Sequence, residues 1–280
     1  MPELPEVEVV RLQLKNQLME KSSQEDVRFL SAHFFRPDLR FPIPQKQILK
    51  LLGKTLVGLD RQGKYLIFSF QDQKKIVSHF GMTGTWRSVE PAEKPKVHDH
   101  VIFGFQVRHK KKLICYNDPR RFGFLDYSDD QNESKFLSKL GPDALGSSSK
   151  ASVLFEQVRG RKTPIKNLLL DQNFLAGVGN IYASEALFLA RIHPSTPANQ
   201  VSRLKWDRLF EEIPKLLHTS IRLGGSSIDD FHGVDEKAGN YQNNFWVYDR
   251  EGGGCKVCNK AIAFVRMGQR STYYCARCQK

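Results

Sequence analysis

The chain has no apolar run approaching the roughly 18 residues needed to cross a bilayer. Where a secretory leader would place a basic segment and an apolar stretch, it carries Glu3, Glu6 and Glu8. The expectation is a cytoplasmic protein without membrane-spanning helices. It also lacks internal repeats and long low-complexity tracts, which sets aside solenoids and tail-like architectures. Cysteine is sparse at five residues, and four of these form one spaced set, so no disulfide framework is expected. Acidic residues fall short of basic ones, 30 against 43, leaving a net charge of +13.

What is present follows from that imbalance. A strongly basic chain favours a polyanionic partner. An anionic membrane surface would call for a long basic amphipathic helix. The basic residues here are instead spread over several segments, so nucleic acid is the expected partner. At 280 residues and 40% hydrophobic content, the chain can bury a substantial core and is expected to hold two or more domains.

After a first helix opening at Pro5, with Val7, Val10 or Arg11, Leu14 and Leu18 as its apolar stripe, the N-terminal half reads as strand. Residues 65–70, 75–79, 101–107 and 113–116 carry β-branched and aromatic residues between turn signals, which suits a β-sandwich or barrel. Cys115 falls in one of these runs and is expected to be buried. The basic run Arg108-His109-Lys110-Lys111-Lys112 reads as a solvated hairpin turn or a nucleic-acid patch. Gly141-Pro142-Asp143 and Gly146-Ser147-Ser148-Ser149 suggest a linker. Beyond it the period becomes helical, at 152–159, 164–171, 181–190 and 204–222. Ser202 is the candidate cap of the last helix and Gly224-Gly225 its stop. Residues 225–245 are polar and glycine-rich and are expected to form a mobile loop, with Ser226 and Ser227 as possible donors.

Several groups carry chemistry. Removal of Met1 would leave Pro2 as a terminal secondary amine, able to attack an electrophilic carbon and form an iminium, with the acid Glu3 beside it. The same residues also suit a helix start, Pro5 in its first turn and Glu6 and Glu8 at its positive end. Cys255, Cys258, Cys275 and Cys278 form a C-x2-C-x16-C-x2-C set that fits tetrahedral zinc. The segment 255–280 holds six basic residues and no acidic one, so four thiolates and Zn²⁺ still leave it at +4. Ala176-Gly177-Val178-Gly179-Asn180 sits between two helices. Its glycines and a capping Asn180 suit a phosphate, or form a plain turn; no Walker lysine follows. Asn117-Asp118-Pro119-Arg120-Arg121-Phe122-Gly123 combines arginine with an apolar wedge, or is an ordinary turn with a buried Phe. His79-Phe80-Gly81-Met82 is a core strand end or an apolar plug. Arg61-Gln62-Gly63-Lys64 reads as a turn with an exposed lysine.

Pro2 through Glu8, Gly63-Lys64-Tyr65-Leu66, His79 through Met82, Asp118 through Gly123, Gly177 through Glu185 and the Gly268 to Cys278 hairpin occur in order over essentially the whole chain. Together they resemble the bacterial formamidopyrimidine-DNA glycosylase family, in a wider group that includes endonuclease VIII. The resemblance implies an α+β multidomain fold. An N-terminal helix and β-sandwich would span 2–140, a linker 141–150, a helix–two-turn–helix domain 151–236, and a C-terminal four-cysteine zinc-finger β-hairpin 237–280, with DNA between them. It assigns Pro2 as nucleophile on the deoxyribose C1′, Glu3 as the acid at the ring oxygen, and Lys64 and Arg270 as proton donors in β- and δ-elimination. Arginine rarely releases its proton, so Arg270 is expected mainly to orient phosphate. Met82, Arg120 and Phe122 would fill the space of an everted nucleotide and probe the opposite base. His98, Arg120, Lys162, Lys166 and Asn180 would contact DNA, and Glu6 would support the active site. Two departures concern packing alone, Val9-Val10-Arg11-Leu12 after the opening motif and Phe80 where leucine is common.

The resulting expectation is a monomeric, bacterial, nucleoid-associated glycosylase and abasic-site lyase. It would act on oxidised purines (8-oxoguanine, formamidopyrimidines) in damaged double-stranded DNA, with one structural Zn²⁺ and no redox cofactor. An endonuclease VIII-type enzyme for oxidised pyrimidines is the near alternative, and a non-catalytic zinc DNA-binding protein the distant one.

Overall fold

The computed structural model describes residues 1–19, 27–227, 232–235 and 237–280. They divide into two compact units, Met1–Ser138 with Gly224–Asn240, and Lys139–Leu223 with Tyr241–Lys280. No described helix is long and apolar enough to cross a membrane.

The first unit opens with α1 (Leu4–Leu18), whose Val7, Val10, Leu14 and Leu18 are fully buried, as their spacing requires. Eight strands follow, with a short α2 (Gln45–Leu49) after the first. They are β1 (Val27–Phe34), β2 (Leu56–Gln62), β3 (Tyr65–Phe70), β4 (Lys75–His79), β5 (Thr85–Val89), β6 (Asp99–Val107), β7 (Lys110–Asn117) and β8 (Phe124–Ser128). Two four-stranded antiparallel sheets result, ordered β1-β6-β7-β5 and β2-β3-β4-β8. Their inner residues, among them Phe29, Phe68, Trp86 and Phe103, share one core with the α1 stripe. Phe103 meets Phe29 and Phe68 edge-on, with centroids 5.2 and 6.1 Å apart. The expected sandwich is therefore formed. Cys115 is fully buried within it. The turn in the basic run is Arg108-His109 alone, because the three lysines already belong to β7.

The second unit holds α3 (Ala151–Val158), α4 (Ile165–Leu170), α5 (Asn180–Leu189), α6 (Arg203–Arg222) and the hairpin β9 (Ala263–Met267) and β10 (Arg270–Tyr274). Ser202 caps α6 by accepting from the Lys205 amide. Helix α5 is buried almost all round, from Ile181 through Phe188, and so lies at the centre of its unit. Two segments are more ordered than their composition suggests. Ala144–Lys150 forms a 3-10 helix, with the Asp143 carboxylate accepting from the Leu145 amide and the Ser147 and Ser149 hydroxyls donating to backbone carbonyls. Tyr241–Asn244 forms another, anchored by the buried Tyr241. Of the loop expected at 225–245, residues 228–231 and 236 lie outside the described set.

Candidate active site and metal centre

Pro2 and Glu3 are buried at the start of α1, where Glu3 and Glu6 form a reciprocal capping box. The Glu3 amide donates to Glu6 Oε2 at 2.9 Å. The Ser226 amide and hydroxyl donate to Glu6 Oε1 at 2.8 and 3.0 Å. Glu6 is 1% exposed and thus holds the beginning of the chain to the segment after α6. Ser226, expected as a donor to a ligand, serves this internal bond. Ser227 Oγ accepts from the Gly239 amide. Lys64 follows Gly63, at φ +56°, in the β2–β3 turn. It is 6% exposed, which corrects the expectation of an exposed lysine.

Met82, His98, Arg120 and Phe122 are brought together by interlocked backbones. Gly81 has φ +64°, and a Cβ there would lie 2.3 Å from the Gly123 nitrogen and the Phe122 carbonyl carbon. A Cβ on Gly123 would lie 1.8 Å from the Tyr116 hydroxyl oxygen. Only glycines permit so close an approach of the two loops. Asp118, fully buried, then ties the cluster. Its carboxylate accepts from the Thr83 hydroxyl at 2.6 Å and the Gly123 amide at 2.8 Å, and its own amide donates to the His98 carbonyl. Arg120 lies over the Phe122 ring at 4.7 Å, and Phe122 is 44% exposed, an aromatic left largely in water with a cation beside it. Met82 is half-buried and His98 exposed, at φ +70°.

His79 sets the root of the Met82 turn. Its Nδ1 accepts the Gly81 amide at 3.1 Å, so the ring is neutral with its proton on Nε2. Burial first, then the Lys64 and Arg40 cations, push its pKa down to about 3. Phe124 stacks on the ring at 5.3 Å and Tyr65 lies 4.9 Å away.

In the second unit the hairpin turn carrying exposed Arg270 is held from behind. Lys166 Nζ donates to Ser271 O at 2.8 Å and to Thr272 Oγ1 at 2.6 Å, and Asn180 Nδ2 donates to the same carbonyl at 3.0 Å. Lys166 is fully buried. The resemblance implies a DNA contact for Lys166; here its ammonium is engaged by the hairpin. Gly179, not Asn180, is the N-cap of α5, and the Asn180 amide turns to the hairpin instead. Asn180 Oδ1 is buried without a partner among the described residues. Lys162 stands exposed in the turn between α3 and α4.

The four cysteine sulfurs lie within 4.8 Å of one another, with Cys255 to Cys278 at 3.9 Å and Cys258 to Cys275 at 3.5 Å. These spacings exceed an S–S bond of about 2.05 Å. They match the roughly 3.8 Å separation of thiolates placed about 2.3 Å from a tetrahedral zinc. Four protein ligands close the coordination sphere, so the zinc is structural. One buried acid escaped the sequence reading. Glu185 on α5 accepts the amides of Trp246, Val247 and Tyr248 at 2.8, 2.9 and 2.8 Å, at the approach to the first knuckle. Burial pushes its pKa up although the three amides pull it down. Glu185 is the one charged residue of α5, and that was the available signal.

Comparison with known proteins agrees with this layout. Residues 1–125 match the formamidopyrimidine-DNA glycosylase N-terminal domain, 140–232 the formamidopyrimidine-DNA glycosylase H2TH domain, and 255–280 the zinc finger found in FPG and IleRS. The chain is 41% identical to formamidopyrimidine-DNA glycosylase of Bdellovibrio bacteriovorus over all of both chains. It is 40% identical to that of Methylobacillus flagellatus, covering all of this chain and 97% of the relative. Among solved structures, Lactococcus lactis Fpg in complex with DNA containing an abasic site aligns over all of both chains at 32% identity and a TM-score of 0.86. MutM in complex with DNA containing carbocyclic 8-oxo-G aligns equally fully at 32% identity and 0.87.

Proposed function

The chain belongs to the formamidopyrimidine-DNA glycosylase family, and from that premise we propose how it works as a glycosylase and abasic-site lyase on oxidised purines in duplex DNA. The target C1′ is inaccessible in a stacked duplex, so the nucleotide is flipped out at a cost of a few kcal/mol. Met82 and Phe122 offset the lost stacking, and Arg120 meets the edge of the orphaned base. With Met1 removed, the Pro2 nitrogen attacks C1′ while Glu3 protonates the ring oxygen. The bond from C1′ to the base breaks, the amine proton passes to the departing base, and the C1′–O4′ bond opens onto the oxygen that Glu3 protonates, leaving an iminium. The iminium acidifies the neighbouring sugar C–H, so successive eliminations break the strand on both sides of the site. Lys64 serves the first of these. Arg270, always cationic, orients phosphate. His98, Lys162 and Asn180 are assigned to DNA contacts, and Lys166 to holding the Arg270 turn. The protein acts as a monomer.

The observation that carries this reading is the enclosure of Pro2 and Glu3 in a helix start that Glu6 bonds to both Glu3 and Ser226. A plain helix start accounts for the Glu3–Glu6 capping box but not for the tie of Glu6 to Ser226, 220 positions away. Borohydride is expected to trap a covalent adduct on 8-oxoguanine duplex, mapping to Pro2 by peptide mass spectrometry. Thymine glycol duplex in parallel separates the purine from the pyrimidine preference. Full strand cleavage by protein with a chemically blocked amino terminus would sink the mechanism.

A further inference from the structure

The turn that carries Lys64 is fastened to the first helix by a relay of charged groups. Glu8 lies on α1, five residues after Glu3. Arg61 Nε donates to Glu8 Oε2 at 2.9 Å, while Arg11 donates through Nε to Oε2 at 2.9 Å and through Nη2 to Oε1 at 2.6 Å. Each arginine spends a further donor on the backbone of the β2–β3 hairpin. Arg61 Nη1 reaches Gly63 O at 2.8 Å, and Arg11 Nη1 reaches Leu59 O at 3.1 Å. The Arg61, Glu8 and Arg11 side chains are only 7%, 12% and 18% exposed. An exposed surface pair contributes little and is easily rearranged. This group differs, because its carboxylate takes three charge-assisted bonds and both guanidiniums are pinned at a second point on the backbone.

The Gly63 carbonyl belongs to the peptide group whose nitrogen is that of Lys64. Gly63 sits at φ +56°, and Arg61 holds its carbonyl directly, so a shift of the Arg61 guanidinium is passed to the peptide that carries Lys64. We propose that Glu8 and Arg61 are positioning residues for Lys64, linking the helix that begins at the nucleophile to the peptide that carries the proton donor. Arg11 holds Glu8 from the other side, so removing Arg61 breaks the link without stranding a buried carboxylate. This inference rests on the reading of Lys64 as the proton donor in β-elimination.

The test compares two steps on the same preformed abasic duplex, borohydride trapping for attack by the amine and strand scission for elimination. A displacement of about an ångström costs a positioned group up to about a hundredfold in rate. Arg61→Gln is expected to slow scission by about tenfold or more while the trapping rate stays within about twofold. Glu8→Gln, which keeps an acceptor but loses the charge, is expected to split the two steps in the same direction by a smaller factor. Equal loss of both steps, in proportion to a lowered urea midpoint, marks a merely structural role and overturns the inference. So does scission by Arg61→Gln at the unmodified rate. Lys64→Met is measured alongside. If it cuts normally, the role of Lys64 and this inference fall together. If it is defective while Arg61→Gln is not, the inference falls alone.

Discussion

Replacing Glu185 tests whether a buried carboxylate organises the approach to the zinc module. The Glu185 side chain is fully buried and accepts three consecutive backbone amides, two on Oε1 and one on Oε2. Alanine would leave those three N–H groups unpaired. Each buried, unsatisfied donor costs about 1–3 kcal/mol, and water entering the space recovers part of it, so the expected loss for Glu185→Ala is about 3–6 kcal/mol. Glutamine keeps one carbonyl oxygen for Val247 and Tyr248 but turns an amide N–H2 towards the Trp246 amide, donor against donor. It also removes the charge, whose burial is the largest influence on the pKa of this group. The expected cost of Glu185→Gln is therefore smaller, about 1–3 kcal/mol. For a unit of this size, each kcal/mol lowers Tm by about 3–5 °C, so alanine should lower the midpoint by about 9–30 °C. The assay is zinc release to a chelating dye during thermal or urea unfolding, because the four cysteines report their own unit alone. Release is expected to shift with the unfolding midpoint, alanine further than glutamine. A loss below about 1 kcal/mol for Glu185→Ala would refute the reasoning, since solvent would then replace the carboxylate at no net cost.

Three further predictions follow from the site. His79 has its pKa lowered to about 3 in the folded protein against about 6.5 unfolded, so the unfolded chain binds the extra proton in that window. Stability should fall as pH drops from about 6.5 towards 3, by up to about 1.4 kcal/mol per pH unit, and His79→Asn should flatten the urea midpoint between pH 7 and pH 5. Gly81→Ala should cost about 1–3 kcal/mol for its left-handed backbone alone, and more for the contact with Phe122 and Gly123, abolishing base excision; wild-type Tm and activity would contradict the interlocked loops. Cys275→Ser should release zinc, measured by atomic absorption, and weaken duplex binding; wild-type affinity without metal would refute the role of the module.

The sequence was most legible where a residue's neighbours in the chain decide its state. The α1 stripe, the Ser202 cap, the strands at 65–70 and 75–79 and the paired cysteine knuckles all rest on contacts within a few residues. It was least legible where a polar side chain had to choose a distant partner. Lys166 could not be known to be buried without its partners at Ser271 and Thr272, more than a hundred positions away. Lys64 looked like a turn lysine because a turn is ordinarily exposed. It is buried in the folded chain, a tertiary outcome that no local pattern encodes.

By itself the sequence determined the chemistry available: a potential terminal amine beside an acid, a thiolate set with zinc spacing, an arginine beside an aromatic, and a basic excess suited to phosphate. These depend on residue type and short-range spacing, which the covalent chain specifies directly. Tertiary structure alone decided which groups are held and by what. It joined Glu6 to Ser226 across more than two hundred positions, bound Glu8 through Arg61 to the peptide of Lys64, and set Gly81 against Phe122 and Gly123. The reason is physical: hydrophobic periodicity says which face turns inward, whereas a hydrogen-bond partner is specified only when folded elements bring donor and acceptor within about 3 Å.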